Sequence, residues 1–237
     1  MGKMRESILE ELRENRDENY REFHEKLTTS IGRSLGVRIP ALRSMAKRLS
    51  LSGGKEWIEE LMELSEAESS ELFQEELTLW GMVIGLMKTE APERARLLDA
   101  WVPVINSWAV CDTANSTFKF MERDRAYWYD YVMKYFSSRK EYELRFVVVT
   151  LMSRFMTDEY IDSILSILNK IKQGDYYVNM AVAWAISVAF VKYREKTLNF
   201  LSANDLSQDV QNKAIRKIRE SLRVTAEDKE RVLSFKK

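Results

Sequence analysis

The chain has 237 residues, of which 45% are hydrophobic and 31% are charged, and its formal net charge at pH 7 is zero. That balance suits one globular domain or a continuous repeat array with an ample core, and it argues weakly against a nucleic-acid partner. The lone Cys111 excludes an internal disulfide and any metal site built from several cysteines, and the lone His24 leaves little for a histidine zinc site or a serine–histidine–aspartate triad.

Helical periodicity recurs along almost the whole chain, while 8 glycines and 3 prolines supply little turn punctuation for sheets. The best candidate for a strand is 146–151, but charged residues flank it at helical spacing, so we expect a buried helix there. The pattern therefore predicts an all-α protein. The predicted helices are 3–15, 18–28, 39–50, 55–64, 69–87, 92–101, 107–121, 125–136, 140–155, 158–170, 175–192, 194–202, 207–221 and 225–234.

Local signals mark several helix starts. Pro40 suits the first turn of a helix, and Ser107 and Thr225 have the character of N-caps. The N-terminal stretch is acidic and amphipathic rather than signal-like, and no stretch reaches the roughly 18 apolar residues of a membrane span. We therefore expect a cytoplasmic protein with no membrane partner.

Charge is unevenly distributed despite the neutral total. Between Glu25 and Glu56 there is no acidic residue, and 211–223 contains five basic residues against Glu220 alone. Acidic residues concentrate instead at 56–76. This distribution permits one positive surface on a neutral protein. The basic residues of the first segment are Lys26, Arg33, Arg38, Arg43, Lys47, Arg48 and Lys55.

A repeat is suggested by Trp108, Arg145 and Trp184, which lie 37 and 39 residues apart, each in the second helix of a predicted pair. A repeat near 38 residues made of two antiparallel helices is typical of a HEAT-like α-solenoid, an α-α superhelix. Equivalent positions of successive repeats line one surface, usually the concave one. We therefore expect these three side chains to face a shared groove.

Each of these residues also has a simpler structural interpretation. Either tryptophan is, taken alone, more often a core residue than a site residue. Asp112, one helical turn after Trp108, could be a first-turn carboxylate that favours a helix N-terminus. Arg145 could form a surface ion pair with Glu141. The sequence alone leaves these alternatives open.

Five stretches in order resemble the AlkD-type DNA alkylation repair proteins, a bacterial family of HEAT-like-repeat DNA glycosylases that excise N3- and N7-alkylated purines. The resemblance runs from about residue 18 to about residue 223 and implies one solenoid domain over 1–237, with about six helical repeats and a concave DNA-binding groove. The stretches are LGVRIPALRSMAKRL (35–49), NSWAVCD (106–112), LRFVVVTLM (144–152), YYVNMAVAW (176–184) and QNKAIRKI (211–218).

The resemblance also implies roles for single residues. Trp108 and Trp184 match the tryptophans of the family's active-site cleft, and Asp112 matches its catalytic aspartate. Arg145 matches an arginine that contacts the DNA backbone near the lesion. Two departures are the Ala-Val-Cys between Trp108 and Asp112, and Ser187 in place of a basic residue. Further implied DNA contacts are Arg38, Arg43, Lys47, Lys213 and Arg216.

The implied activity is that of a monofunctional, monomeric glycosylase acting on double-stranded DNA that contains alkylated purines. A cationic purine is already a good leaving group, so one carboxylate and two indole faces near the sugar suffice chemically. No lysine lies among these residues to form a Schiff base, and we expect neither metal nor cofactor. The alternatives are a non-catalytic DNA-binding module and a protein scaffold, for which the acidic 56–76 segment would serve as a binding face.

Overall fold

The computed structural model describes residues 2–27, 33–172 and 174–237. Over these residues it contains fifteen α-helices and three short 3₁₀ helices, and the only extended pairing is an isolated bridge between Arg16 and Val37. The all-α prediction is confirmed. In chain order the α-helices are α1 (Lys3–Glu14), α2 (Glu18–Leu27), α3 (Ile39–Leu49), α4 (Gly54–Met62), α5 (Glu66–Ser70), α6 (Gln74–Leu86), α7 (Ala91–Trp101), α8 (Trp108–Asn115), α9 (Arg125–Met133), α10 (Glu141–Arg154), α11 (Ile161–Lys170), α12 (Tyr176–Lys192), α13 (Arg194–Ser202), α14 (Gln208–Glu220) and α15 (Ala226–Arg231).

The predicted helix boundaries differ from the observed ones mainly at two places. The helix predicted over 107–121 ends at Asn115 as α8, and a separate 3₁₀ helix, Lys119–Arg123, follows it. The helix predicted over 69–87 is two helices, α5 and α6, separated by three residues. Phe73 there has extended backbone angles, φ −70° and ψ 150°, and its N–H donates to the Glu76 carboxylate. This local cap starts a new helix, which apolar periodicity alone does not reveal. The predicted end of α2 at residue 28 lies outside the described residues.

The local start signals are confirmed. Pro40 lies in the first turn of α3. The Ser107 hydroxyl accepts a hydrogen bond from the Val110 N–H, and the Thr225 hydroxyl accepts one from the Asp228 N–H. The strand-like segment 146–151 is helical, and all of its residues are buried within α10. None of the helices in the described part of the chain is long and apolar enough to cross a membrane.

The chain forms two compact units, one ending at Arg123 and one running from Asp124 to Lys237. In the first unit, α3, α6 and α8 pack in chain order, and we call them the first row. Helix α1 packs on α4, and α7 packs on α6. Every residue of α6 from Gln74 to Ile84 is buried. The middle helix of the first row is therefore a core element along most of its length.

The second unit has the same plan. Helices α10, α12 and α14 pack in chain order and form the second row, while α11 and α13 each pack on α12 and on one another. The second helix of each pair thus packs on the second helix of the next, as in helical repeat proteins. That the chain is one continuous HEAT-like solenoid with a concave groove stays a prediction.

The repeat length differs from the predicted one. The row helices begin at residues 39, 74, 108, 141, 176 and 208, so successive starts are 32 to 35 residues apart. The predicted period near 38 is wrong because Trp108, Arg145 and Trp184 are the first, fifth and ninth residues of their helices. The positions of these three residues within their own helices thus differ by four residues, about one helical turn, from each to the next. The spacing between them is therefore four residues longer than the repeat.

Candidate functional site

Helix α8 presents one partly exposed face, and Trp108 and Asp112 both lie on it. Trp108 and Asp112 are half-buried, and Ser116, one turn further on, is exposed. The opposite face is buried and contains Val110 and Cys111. The core interpretation of Trp108 is therefore wrong, and the structure brings this indole and this carboxylate together on one accessible surface.

Asp112 is not a helix-start carboxylate. Helix α8 begins at Trp108 after the cap Ser107, and its first turn contains no acidic residue. Asp112 is the fifth residue of α8, where the attraction of the helix N-terminus has largely decayed. The first-turn interpretation is therefore wrong, and the helix dipole does not explain the presence of this carboxylate.

A polar contact with α6 positions the start of α8. The Ser107 hydroxyl donates to Gln74 Oε1 at 2.6 Å, and Gln74 Nε2 donates to Asn106 Oδ1 at 3.2 Å. Ser107 and Gln74 are 1% and 6% exposed. Because Ser107 directly precedes Trp108, this contact sets the position from which the accessible face of α8 begins.

Two glycines of α6 allow a close approach, Gly81 to α8 and Gly85 to the segment that follows α8. A Cβ on Gly81 would lie 2.6 Å from the Ala114 Cβ, and a Cβ on Gly85 would lie 1.9 Å from the Thr117 Oγ1. Neither position has room for a side chain without movement. Sequence reasoning missed these residues, although two glycines four apart in the apolar stretch GMVIG were the available signal.

Trp184 is 39% exposed on α12, so its core interpretation is wrong as well. Met180 and Val188, one turn before and after it, are half-buried. The Ser187 hydroxyl donates to the Trp184 carbonyl at 2.8 Å, so the residue that departs from the family pattern bonds its own helix. Helix α12 thus presents an apolar, partly exposed stripe centred on Trp184.

Arg145 is only 5% exposed. Its guanidinium donates to the Tyr177 carbonyl at 2.6 Å, and the Glu141 carboxylate accepts from the Tyr177 N–H at 2.7 Å. Both side chains of α10 therefore hold the first turn of α12. Arg145 is therefore buried rather than on the surface, and its contact with DNA stays a prediction.

The predicted basic residues of the first unit lie at the start and along the exposed face of α3. Arg38 is the N-cap of α3, is paired with Asp17 at 2.8 Å, and its guanidinium lies 5.2 Å from the Tyr20 ring centroid. The Tyr20 N–H and then the Arg38 guanidinium lower the pKa of Asp17. Arg43 and Lys47, one turn apart, are both exposed, and over the described ranges neither has a recorded ion pair.

Glu75 holds the turn that precedes α3. Its carboxylate accepts from the N–H groups of Leu35, Gly36 and Val37 at 3.0, 2.8 and 3.3 Å, and from the Ser34 hydroxyl at 2.9 Å. Gly36 has a φ of +78°, which favours glycine. Glu75 was predicted only as part of an acidic surface segment. It is 5% exposed, so it does not contribute to such a surface.

The predicted basic residues of the second unit lie on α14. Lys213 is half-buried and paired with Asp209. Arg216, three residues after Lys213, is exposed. It lines a surface pocket whose other charged residues are Arg219, Glu220, Lys229 and Glu230. Among the described residues, no group of three or more His, Cys, Asp or Glu side chains could hold a metal ion.

The register of the rows relates these residues to one another. Arg43, Thr78 and Asp112 are the fifth residues of α3, α6 and α8, and Arg145 is the fifth residue of α10. Lys47, Trp184 and Arg216 are the ninth residues of α3, α12 and α14. Within the usual uncertainty of one or two residues at helix ends, several candidate residues thus recur at the fifth or the ninth position of a row helix, while Trp108 is the first residue of α8.

Comparison with known protein families covers most of the chain rather than single residues. The sequence model of the family described as DNA alkylation repair enzyme matches residues 8–222, which include every candidate residue above. Neither curated proteins nor solved structures give a match. The predicted resemblance is therefore confirmed over most of the sequence, and the chain belongs to the AlkD-type family of DNA alkylation repair enzymes, whose partner is DNA.

Proposed function

We propose that this protein is a DNA glycosylase that hydrolyses the N-glycosidic bond of N3- and N7-alkylated purines in double-stranded DNA. The observation that carries the proposal is the accessible face of α8. There an indole and a carboxylate, Trp108 and Asp112, lie half-buried one turn apart in a chain of this repair family. Removal of the damaged base would be the first step of base excision repair.

The chemistry follows from the charge of the substrate. A purine alkylated at N3 or N7 is cationic, so it leaves with the electrons of the broken bond as a neutral base. Positive character then develops on the deoxyribose. The catalyst therefore stabilises charge at the sugar rather than protonating the base.

Asp112 supplies the fixed negative charge in this proposal. Its carboxylate stabilises the cationic sugar and orients the attacking water, whose proton passes to the carboxylate or to solvent as the new bond to C1′ forms. Trp108 adds the negative face of an indole on the same helix face, and Trp184 is assigned as the second indole. An unmodified purine is neutral and leaves poorly, so substrate reactivity contributes to selectivity.

The proposed phosphate contacts are basic residues at the start of α3 and along α3 and α14. Arg43, Lys47 and Arg216 are exposed, while Arg38 and Lys213 would exchange an acidic partner for a phosphate on binding. Such contacts release counterions, so DNA affinity falls steeply with added salt. An affinity that does not change with salt would contradict this part of the proposal.

The reaction uses water and leaves an abasic site. Helix α8 carries no lysine that could form a Schiff base with the sugar. We therefore propose a monofunctional enzyme that requires neither metal nor cofactor and acts as a monomer. Strand cleavage by the purified protein without added base would contradict the monofunctional assignment.

The decisive experiment measures release of N7-methylguanine and N3-methyladenine from methylated duplex DNA. Asp112→Asn is expected to lower the rate by about 10²–10³-fold and to leave DNA affinity nearly unchanged. Asp130→Asn, an exposed aspartate on α9, is the matched control and should keep the wild-type rate. A wild-type protein that binds DNA without releasing either base would support a non-catalytic DNA-binding module instead.

The structure gives less support to the scaffold alternative than the sequence did. Its proposed acidic face, 56–76, includes Glu75 and Glu76, which are buried. The Glu60 carboxylate accepts from the N–H groups of Met4 and Arg5 at the start of α1. Three of the acidic side chains in this segment therefore have partners inside the first unit and are not free to form a binding face.

A further inference from the structure

The start of α6 is an unusual polar cluster in a core helix. Gln74, Glu75 and Glu76 are consecutive and are 6%, 5% and 1% exposed. Buried polar residues are uncommon without a partner, and each of these side chains bonds a different neighbour. We call these three residues the polar start of α6.

Gln74 contacts the segment that leads into α8. The Ser107 hydroxyl donates to Gln74 Oε1 and accepts from the Val110 N–H at 3.2 Å, so both of its hydrogen-bonding directions are occupied. The Gln74 amide also donates to Asn106 Oδ1. These bonds orient the first turn of α8, and the following residue is Trp108. Asp112 follows one turn later on the same rigid helix.

Glu75 contacts the turn that leads into α3. Its carboxylate binds three consecutive N–H groups, those of residues 35–37. The next residue is Arg38, and Arg43 and Lys47 follow on α3. The same carboxylate therefore positions the turn that directly precedes the proposed phosphate contacts of the first unit.

Glu76 anchors the cluster. Its two carboxylate oxygens accept from Arg5 Nε at 2.9 Å and from the Phe73 N–H at 2.9 Å, so it ties the start of α6 to α1 and caps its own helix. A buried carboxylate with both oxygens bonded has little freedom to move. Glu76 thus fixes the position of the helix start that carries Gln74 and Glu75.

We propose that the polar start of α6 is the positioning element of the DNA site in the first unit: Gln74 places Trp108 and Asp112, and Glu75 places the turn and basic face of α3. The inference rests on the proposed glycosylase function, because it assigns these residues to that reaction. None of the three side chains touches the substrate in this scheme. Their effect is the fixed spacing between the carboxylate of α8 and the basic residues of α3.

Gln74→Leu tests the first half of the proposal. The leucine side chain is similar in size to glutamine but apolar, so the variant loses both hydrogen bonds to the α8 segment. We expect the single-turnover rate at saturating DNA to fall by about 10- to 100-fold, since small misplacement of reacting groups has effects of that order. DNA affinity should stay within about twofold, because the basic face of α3 is untouched.

The matched control is Gln208→Leu. Gln208 is also the first residue of a row helix, α14, but its side chain donates to the Lys237 carbonyl at the end of the chain. This variant should keep the wild-type rate and affinity. An equal loss of rate in both variants would overturn the proposal, as would a wild-type rate in Gln74→Leu.

Glu75→Gln tests the second half and should give the opposite pattern. The glutamine amide has an N–H donor in place of one carboxylate oxygen. That donor would face backbone N–H groups, which are donors as well, so the turn before α3 shifts. DNA affinity should weaken by about threefold or more and the salt dependence should become shallower, while the rate at saturating DNA stays within about twofold. The control is Glu71→Gln, an exposed residue four positions earlier whose partner is Arg33.

Thermal unfolding of every variant separates positioning from loss of fold. If Glu75→Gln fails to fold, Ser34→Ala removes one bond to the same carboxylate and should give a smaller change of the same kind. Affinity and rate falling together in each variant would mean that the cluster only stabilises the fold, and would overturn the proposal.

A final readout does not depend on activity. In protein labelled with 5-fluorotryptophan, the ¹⁹F resonance of Trp108, assigned with Trp108→Phe, should shift in Gln74→Leu and stay in place in Gln208→Leu. If wild-type protein releases no base, the glycosylase proposal fails while this shift still tests the placement of Trp108. An unchanged resonance in Gln74→Leu would overturn the positioning role.

Discussion

The two helices that carry the candidate tryptophans are held in place in different ways. Helix α8 has eight residues, buries four of them and packs on α6, with a polar contact at its start and a close approach to Gly81. Helix α12 has seventeen residues and buries nine of them, all apolar except Ser187. It packs against four neighbouring helices, α10, α11, α13 and α14.

The difference indicates how each indole is placed. Trp108 depends on a few discrete contacts, each of which a single substitution can remove. Trp184 lies in the middle of a long helix whose position is shared among many apolar contacts. We therefore expect α8 to be sensitive to single changes and α12 to be tolerant of them.

Gly81→Ala should have the largest effect on this comparison. The added Cβ would lie 2.5 Å from Trp101 Cζ2 and 2.6 Å from the Ala114 Cβ, so α8 must move away from α6. We expect the free energy of unfolding to fall by about 1–3 kcal/mol and the rate of base release to fall with it. Urea unfolding and single-turnover assays measure the two effects.

The counterpart in α12 is Ala183→Gly, which removes a buried methyl group from the residue before Trp184. Its expected effect on stability is about 1 kcal/mol, with no change in the rate of base release by the folded protein. Equal losses of rate in the two variants would show that α8 and α12 are equally sensitive.

The helix caps provide a smaller and more local test. Ser107→Ala removes the hydroxyl that caps α8 and bonds Gln74, and should destabilise the protein by about 1 kcal/mol. Asp175 caps α12 without a side-chain hydrogen bond, so Asp175→Ala should change stability by only about 0.3 kcal/mol or less. Chemical denaturation of both variants checks this, and a larger loss for Asp175→Ala would reverse the comparison.

The smallest effect concerns ion pairs that lower the pKa of a carboxylate, one in each unit. Hydrogen bonds from Arg96 and Lys55 lower the pKa of Glu93 in the first unit to about 2. In the second unit, the Arg194 guanidinium lowers the pKa of Asp228. The Asp228 carboxylate is buried, whereas the Glu93 pairs are partly exposed to water, where ion pairs contribute little.

The lowered pKa values determine how the stability contributed by these carboxylates changes with pH. The stabilisation by Glu93 is complete above its unfolded pKa, roughly 4.3, and is lost as the pH falls toward about 2. Glu93→Gln should therefore reduce the acid sensitivity of unfolding below pH 4.3 and leave it unchanged near neutrality. Urea unfolding at several pH values measures this, and an unaltered acid profile would contradict it.

Much of the fold was predictable from the sequence because its signals are local. Pro40, Ser107 and Thr225 mark helix starts through their own chemistry, and the helical spacing of the charged residues that flank 146–151 outweighed its strand-like composition. The break between α5 and α6 was missed because the Glu76 cap interrupts an apolar pattern that continues across Phe73. The repeat length was wrong because residues on one face can differ by a whole turn.

The candidate site was predictable only in part. The pairing of Trp108 and Asp112 follows from helical spacing, and the structure removes the two simpler interpretations of them. The burial of Arg145 and Glu75 was not predictable, because a charged side chain gives no sign in the sequence of the backbone groups that it will bind. The contributions of Gln74 and Gly81 depend on contacts between helices about 30 residues apart in sequence.

The burial of α6 from Gln74 to Ile84 has a consequence for recognising active relatives. The residues assigned to chemistry are few and easily seen, while those that place them lie in a helix with no proposed contact with DNA. A homologue could keep the indole and the carboxylate of α8 and still lose its rate through one replacement in this hidden helix. Retained site residues alone are therefore insufficient to identify a working enzyme, and residues equivalent to Gln74, Gly81 and Gly85 are the ones to inspect first.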